Sequence, residues 1–268
     1  MPHDQPPVRS VFDAAAREYD AARPSYPAAL LDELESIAGP LAGRLVLDWG
    51  AGTGISGRQL AARGARVVLL DIGEQMLRHA RARAPGAACL LADGNRMPIR
   101  AQSADLTTFA QSWHWFDKPA AQAEVARVLR PGGYWAAWWN RSAANGQPWF
   151  ERYQDVVVAH CPGYTWRNRA DAELAPDWTH QTVLAAGRVE PVATAVVRWT
   201  RQVSAEQWFT DERSKSYFID LGQDERESVL GQLAQIVGGQ FPDGQMVVPY
   251  TTTLLVARKA GVARPDPA

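Results

Sequence analysis

Apolar positions along the chain change their period several times, and each change marks an element. Leu30, Leu31, Leu34, Ile37 and Ala38 fall on one face of a 3.6-residue period and stop at Gly39, which predicts an amphipathic helix. Leu45 to Leu47 then form a short continuous apolar run, predicting a strand that reaches Asp48. Similar runs at 66–70, 88–92, 105–110 and 134–139 predict the second to fifth strands. Helical spacing returns between them. Ile55 to Leu60 opens one helix, Met76, Leu77 and Ala80 mark another, and Ala121, Val125, Val128 and Leu129 mark a third, behind Asp117 as N-cap and Pro119 in the first turn. Alternating strands and helices predict a parallel sheet with right-handed crossovers, which binds ligands at the carboxyl ends of its strands, near the reversal in strand order.

Beyond Asn140 the pattern changes. A helix is expected over 148–160, with Phe150, Tyr153 and Val157 on one face, followed by a turn-rich, aromatic stretch over 162–180. A sixth strand is expected over 192–199 and a seventh over 246–257. Between these two, Ser204-Ala205-Glu206-Gln207 has the form of a capping box, and Asp224 to Glu227 opens a helix expected to end at Gly238-Gly239.

Composition narrows the field. With 46% hydrophobic residues the chain can bury a large core, and its formal net charge is only −1. The 28 basic residues form no block, which argues against a nucleic-acid partner. No apolar run approaches the length of a membrane span, and Met1 to Pro7 lacks the pattern of a signal peptide, so a soluble, cytosolic protein is expected. Cys89 and Cys161 sit far apart without metal-ligand spacing, so neither a disulfide nor a metal site is expected.

The chemistry concentrates where the first strand ends. Asp48 is followed by Gly50, Gly52 and Gly54, and then by a helix start, so bare backbone and a helix amino terminus meet at one place. A dinucleotide would place a pyrophosphate there, and the Asp48 carboxylate would repel it. The same carboxylate favours a ligand carrying an ammonium and a sulfonium, as S-adenosylmethionine does. Asp71, at the end of the second strand, can accept ribose hydroxyls from either cofactor class. Asp93-Gly94, after the third strand, offers an acceptor and a backbone amide to an adenine amine.

With these features in place, the chain resembles the class I S-adenosylmethionine-dependent methyltransferases, in the small-molecule group called type 11. The matching stretches are Val46 to Gly54, Asp71, Asp93-Gly94, Ser112-Trp113-His114-Trp115-Phe116 and Leu129 to Gly133, spread over about residues 12 to 140. The His-Trp-Phe run is similar to the branch containing trans-aconitate methyltransferases.

The resemblance implies an α/β, Rossmann-like, mainly parallel seven-stranded sheet with helices on both faces and an α-helical cap insertion. Residues 1–140 are expected to form the cofactor core with an amino-terminal lid segment, and, because the last two strands of this fold commonly form a plain hairpin, the helical pair between them is expected to be an insertion. Residues 141–259 would complete the sheet and supply a substrate cap from 141–190 and 202–245, leaving 260–268 as a loose tail. The implied donor is S-adenosylmethionine, leaving as S-adenosylhomocysteine. Its expected contacts are Tyr19, Arg23, Asp48, Gly50, Gly52, Gly54, Asp71, Ile72, Asp93, Gly94 and Gln111, with Arg23 paired to the donor's carboxylate. The methyl acceptor is expected to be a small organic molecule with an oxygen, nitrogen or carbon nucleophile, met by Trp113, Trp115 and Trp139. His114 is either a proton acceptor or substrate contact there, or a packed aromatic without chemistry. A non-catalytic protein that binds the donor for regulation or as a partner subunit is the alternative function. The sequence gives no oligomeric state.

Overall fold

A computed structural model describes residues 20, 23–162, 164 and 189–260, apart from the side chain of Ser216. In chain order the elements are α1 (Ala28–Ala38), β1 (Leu45–Trp49), α2 (Ile55–Ala62), β2 (Arg66–Asp71), α3 (Glu74–Arg83), β3 (Ala88–Leu91) and β4 (Ala104–Ala110). A 3₁₀ turn (Trp113–Trp115), α4 (Lys118–Val128), β5 (Leu129–Ser142), α5 (Pro148–His160), β6 (Glu190–Ser204), α6 (Ala205–Arg213), α7 (Ser216–Ile219), α8 (Gln223–Gln240) and β7 (Gln245–Arg258) follow. The seven strands form one sheet in the order β3-β2-β1-β4-β5-β7-β6. The pairs β3·β2, β2·β1, β1·β4 and β4·β5 are all parallel. This is the Rossmann-like sheet expected from the alternation of periods.

The described residues fall into two compact units. One is drawn from 25–140, 174–197 and 252–268, the other from 1–24, 141–173 and 198–251.

In the first unit the two-residue period of the strands divides the core into two halves. Leu47 and Trp49 of β1, Trp135, Ala137 and Trp139 of β5, and Leu255 and Ala257 of β7 join one cluster with Ala121, Val125 and Val128 of α4. Their chain neighbours Val46, Ala136, Trp138, Leu254 and Val256 join the other, with Leu30, Leu31 and Leu34 of α1, Leu60 of α2 and Leu77 of α3. Each large apolar side chain buried this way stabilises the fold by roughly 1.5–3 kcal/mol.

Local sequence explains the helix boundaries. Gly39 ends α1 at φ 82, Asp117 caps α4 by accepting from the Ala120 N–H, and Ser204 and Gln207 close the expected capping box of α6. Two boundaries differ from the reading of the sequence. The fifth strand begins at Leu129, five residues early, because the Gly132 N–H, at φ 75, donates to the Lys259 carbonyl and the Gly133 carbonyl accepts from the Lys259 N–H, which draws the turn into the sheet. The eighth helix runs through Gly238-Gly239 to Gln240, since neither glycine adopts a positive φ and Phe241 packs edge-on against Trp149 at 5.2 Å.

The second unit is built around Trp149, Phe150, Tyr153 and Val157 of α5, Trp208 of α6, and Val229, Leu230, Leu233 and Val237 of α8, closed by Met246, Val248 and Tyr250 of β7. Replacing Ser204 with Ala removes one half of the capping box and should lower stability to urea by about 1 kcal/mol.

Candidate active site

Strand β1 lies between β2 and β4, so the strand order reverses at its edges and the carboxyl ends of these three strands flank a crevice. The chain leaves β1 through left-handed conformations at Gly50 (φ 64), Gly52 (φ 55) and Gly54 (φ 79). Two of these glycines are required by packing. A methyl on Gly50 would come within 2.7 Å of Ser112 Cβ, and one on Gly54 within 3.1 Å of Ala80 Cβ and 3.2 Å of Leu69 Cδ1. Gly52 differs, because a methyl there would meet nothing within 4 Å. Its main chain borders open space, as a site for close ligand approach requires.

Oxygen atoms from neighbouring strands fix the bend. The Gly52 N–H donates to Asp71 Oδ2 at 2.8 Å, and the Gly73 N–H donates to Asp71 Oδ1 at 2.8 Å. Ser112 Oγ donates to the Trp49 carbonyl at 2.5 Å, and Thr108 Oγ1 donates to Asp48 Oδ1 at 2.7 Å. Asp48 itself is fully buried beneath the bend rather than displayed on it. Removal from water pushes its carboxyl up from 3.8 to about 7, against the lowering effect of the Thr108 and Ser56 hydroxyls and the Gly57 backbone, and the nearby Asp71 charge adds to the rise.

Around this bend, Ile72 and Leu91 are large apolar side chains left 52% and 55% exposed. Asp93 accepts from the backbone and side-chain amides of Asn95 through one oxygen, at 2.9 and 3.0 Å. Gly94 makes room for Phe116, whose ring atom Cε1 would lie 2.2 Å from an added methyl. Phe116 also packs on Trp49 and Phe109, at 6.1 and 5.4 Å between ring centres, so one aromatic ring ties the β3 and β4 loops together.

At the end of β4, Gln111 is held at φ 57, a left-handed conformation unusual for a residue with a side chain. Bonds from its backbone N–H to the Trp138 carbonyl (2.9 Å) and from Nε2 to the Asn140 carbonyl (3.2 Å) keep it there. Such a residue stores on the order of 1–3 kcal/mol of strain, and strain of this kind gathers at functional sites.

The three expected substrate tryptophans are placed differently from one another. Trp113 and Trp139 are 2% and 1% exposed and pack in the core, whereas Trp115 is 40% exposed. His114 is exposed, and its Nδ1 accepts from the Trp139 indole N–H at 3.4 Å. A neutral imidazole that accepts at Nδ1 carries its proton on Nε2. Arg23, expected on a donor carboxylate, has its Nε 3.2 Å from Asp211 Oδ1, because a buried carboxylate needs a counter-charge. Tyr19 lies outside the described residues.

Reading the sequence missed the supports of this site. Thr108, a hydroxyl inside an apolar strand, and Ser112 were legible as oddities, but only the fold shows which oxygens they meet. Among the described residues no group of three or more His, Cys, Asp or Glu side chains could hold a metal ion, and no helix is long and apolar enough to cross a membrane.

Residues 47–137 match the family model of the methyltransferase domain. An uncharacterized methyltransferase of Mycobacterium tuberculosis is 43% identical over 256 residues, covering 93% of this chain and 96% of its own. Among solved structures, a protein from Anaeromyxobacter dehalogenans assigned as a type II methyltransferase superposes with a TM-score of 0.62 at 21% identity, over 89% of this chain and 97% of its own. A Haemonchus contortus phosphoethanolamine N-methyltransferase, solved with phosphomonomethylethanolamine and S-adenosylhomocysteine, gives 0.54 at 15% identity, over 96% of this chain and 61% of its own. The chain belongs to the methyltransferase family, and it is an S-adenosylmethionine-dependent enzyme of class I.

The position of Asp48 has a measurable effect on stability. Its folded-state pKa lies above its ordinary value, so between pH 3.8 and about 7 the folded protein binds the extra proton and loses stability as pH rises. In urea unfolding of the donor-free protein at pH 5 and pH 8, Asp48→Asn should shrink the stability difference between the two conditions.

Proposed function

We propose that this enzyme transfers a methyl group from S-adenosylmethionine to a small organic acceptor bearing a carboxylate or hydroxyl, in the cytosol. The observation that carries the reading is the Gly52 backbone, open to ligand between the Asp71 carboxylate and the buried Asp48. The His-Trp-Phe run supports a place near the trans-aconitate methyltransferases, and the absence of a basic block speaks for a small acceptor over nucleic acid.

The donor's adenosyl and methionyl parts fit the residues of the crevice. Asp71 is one rearrangement from ribose recognition, releasing the Gly52 N–H to accept two hydroxyls. Ile72 supplies an apolar face for adenine, and Asp93-Gly94 supplies polar contacts at its edge. Gln111, Gly50 and Gly54 shape the methionyl end, with Tyr19 and Arg23 at its carboxylate, for which Arg23 exchanges Asp211. Asp48 acts from beneath, its charge developing when a cationic group approaches.

When bound, the donor supplies a methyl already attached to a sulfonium leaving group. The chain's own work is to align the acceptor and exclude water, and orientation of this kind contributes up to about 7–11 kcal/mol. That exceeds the roughly 10²- to 10⁴-fold typical of a positioned proton acceptor. Trp115 and the Nε2–H of His114 hold the acceptor, and Trp113 and Trp139 keep those two in place. Residues 141–190 and 202–245 act as the cap that selects it.

Calorimetry should show binding of S-adenosylmethionine and S-adenosylhomocysteine but not NAD; tight NAD binding would overturn the reading. Asp71→Ala should weaken S-adenosylhomocysteine binding roughly tenfold to a hundredfold, the worth of hydrogen bonds to a charged group. Donor affinity in the wild type should rise with pH through about 7, as Asp48 ionises, and Asp48→Asn should flatten that rise. Methyl transfer by His114→Gln, which keeps a donor, should exceed that by His114→Ala. Equal losses of about 10² or more in both, with a pH-dependent limb removed, would restore a base.

A further inference from the structure

The connection from β3 to β4, residues 92–103, carries Asp93 and Gly94 but lies outside the sheet, so its main-chain polar groups need partners elsewhere. A pair of side chains on α4 answers three of them. The Met97 N–H donates to Glu124 Oε2 at 3.0 Å, and the carbonyls of Met97 and Ile99 accept from Arg127 Nη2 and Nη1 at 2.9 and 2.6 Å. Glu124 also orients the guanidinium, accepting from Nε at 2.8 Å and from Nη2 at 2.7 Å. Such two-point pairing fixes the plane of the fork, and with it the direction of the N–H bonds aimed at the loop.

The docking of α4 does not require this pair. Ala121, Val125 and Val128 bury the helix in the core, and the Gln102 and Ser103 N–H groups fix the far end of the connection by donating to the Arg127 and Val128 carbonyls, both at 2.9 Å. What the pair adds is control of the near end. The Met97 main chain is tied to α4 while its side chain, 5% exposed, packs in the core, which makes Met97 a fixed point. The turn that carries Asp93 hangs from that point. At its other end the Ala92 N–H donates to the Asp71 carbonyl, and within it the Arg96 N–H donates to the Asp93 carbonyl, both at 3.0 Å. Asp93 is exposed and commits Oδ1 to Asn95. The anchors at Ala92 and Met97, with the Phe116 ring against Gly94, therefore set where this carboxylate sits.

We propose that Glu124 and Arg127 are positioning residues for adenine recognition: by fixing Met97 they set where Asp93 meets the exocyclic amine of the donor. This rests on the reading that Asp93 contacts adenine, and it assigns the residues that place it. In a loosened loop the carboxylate would have to be ordered on binding, which weakens its bond to the amine. Contacts to ribose are made from β2 and keep their strength, because Asp71 is held separately by the Gly73 N–H.

The test compares, by calorimetry on the full chain, S-adenosylhomocysteine with S-inosylhomocysteine, in which a carbonyl oxygen replaces the exocyclic amine. Wild type should prefer the adenosyl compound by about tenfold or more, the worth of a hydrogen bond to a charged group, and Asp93→Ala should remove most of that preference. Arg127→Met should remove it as well, while S-inosylhomocysteine binds nearly as in wild type. Adding Arg127→Met to Asp93→Ala should change the preference no further, because both act on one bond. Arg127→Lys keeps the charge without the fork and should recover only part of the preference. Glu124→Gln, a smaller lesion that retains an acceptor for the Met97 N–H, should lower the preference part of the way and carries the test if Arg127→Met does not fold. A folded variant of the pair that weakens both compounds equally, or keeps the full wild-type preference, would overturn the proposal by leaving the pair a brace of the loop. A wild type without preference, or an Asp93→Ala variant that retains it, would strike the adenine reading itself, and the proposal with it.

Discussion

A carboxyl group held entirely out of water at the end of β1 constrains everything around it. Asp48 can stay there only if hydroxyl and amide donors reach it, so Thr108 must stand opposite on β4 and α2 must begin directly above. Those requirements set the register of the central strands and the path of the bend. The bend, in turn, can follow that path only with glycine at Gly50 and Gly54, where Ser112, Ala80 and Leu69 leave no space for a side chain. What is left uncovered is the Gly52 main chain, facing the acid of the next strand. The binding surface is thus tied to a buried acid that Thr108 holds through one oxygen.

The two units handle polarity in opposite ways. In the sheet unit, layers of apolar side chains leave polar groups at strand ends, among which Asp71 and Ser112 are fixed by short hydrogen bonds. In the helical unit, an ion network runs through the core beside Trp208 and Tyr153. A site built on backbone and strand ends suits a donor shared by a whole family.

Much of the sheet was legible from the chain alone, because its information is local. Period-two runs such as Tyr134 to Trp139, the capping box at Ser204 and the N-cap at Asp117 each depend on neighbours a few residues away. The errors arose where distant residues intervened. Phe241 packing on Trp149 carried α8 past two glycines, and the pairing of Gly132-Gly133 with Lys259 started β5 early. Trp113, Trp115 and Trp139 look alike in sequence, yet only Trp115 is exposed, since burial depends on which face of the sheet another element covers.

The sequence by itself determined the order of elements, the glycine bend, the acids at the ends of the first three strands and the class of chemistry they serve. Each of these is written in spacing along the chain, where steric and hydrogen-bonding preferences act over a few residues. The tertiary structure decided that Asp48 lies beneath the bend, that His114 receives a hydrogen bond from Trp139, and that Arg23, Arg201 and Lys215 gather around two sealed carboxylates. These outcomes depend on charge and burial between residues up to about two hundred positions apart, and no local pattern fixes which of twenty-five arginines meets which acid.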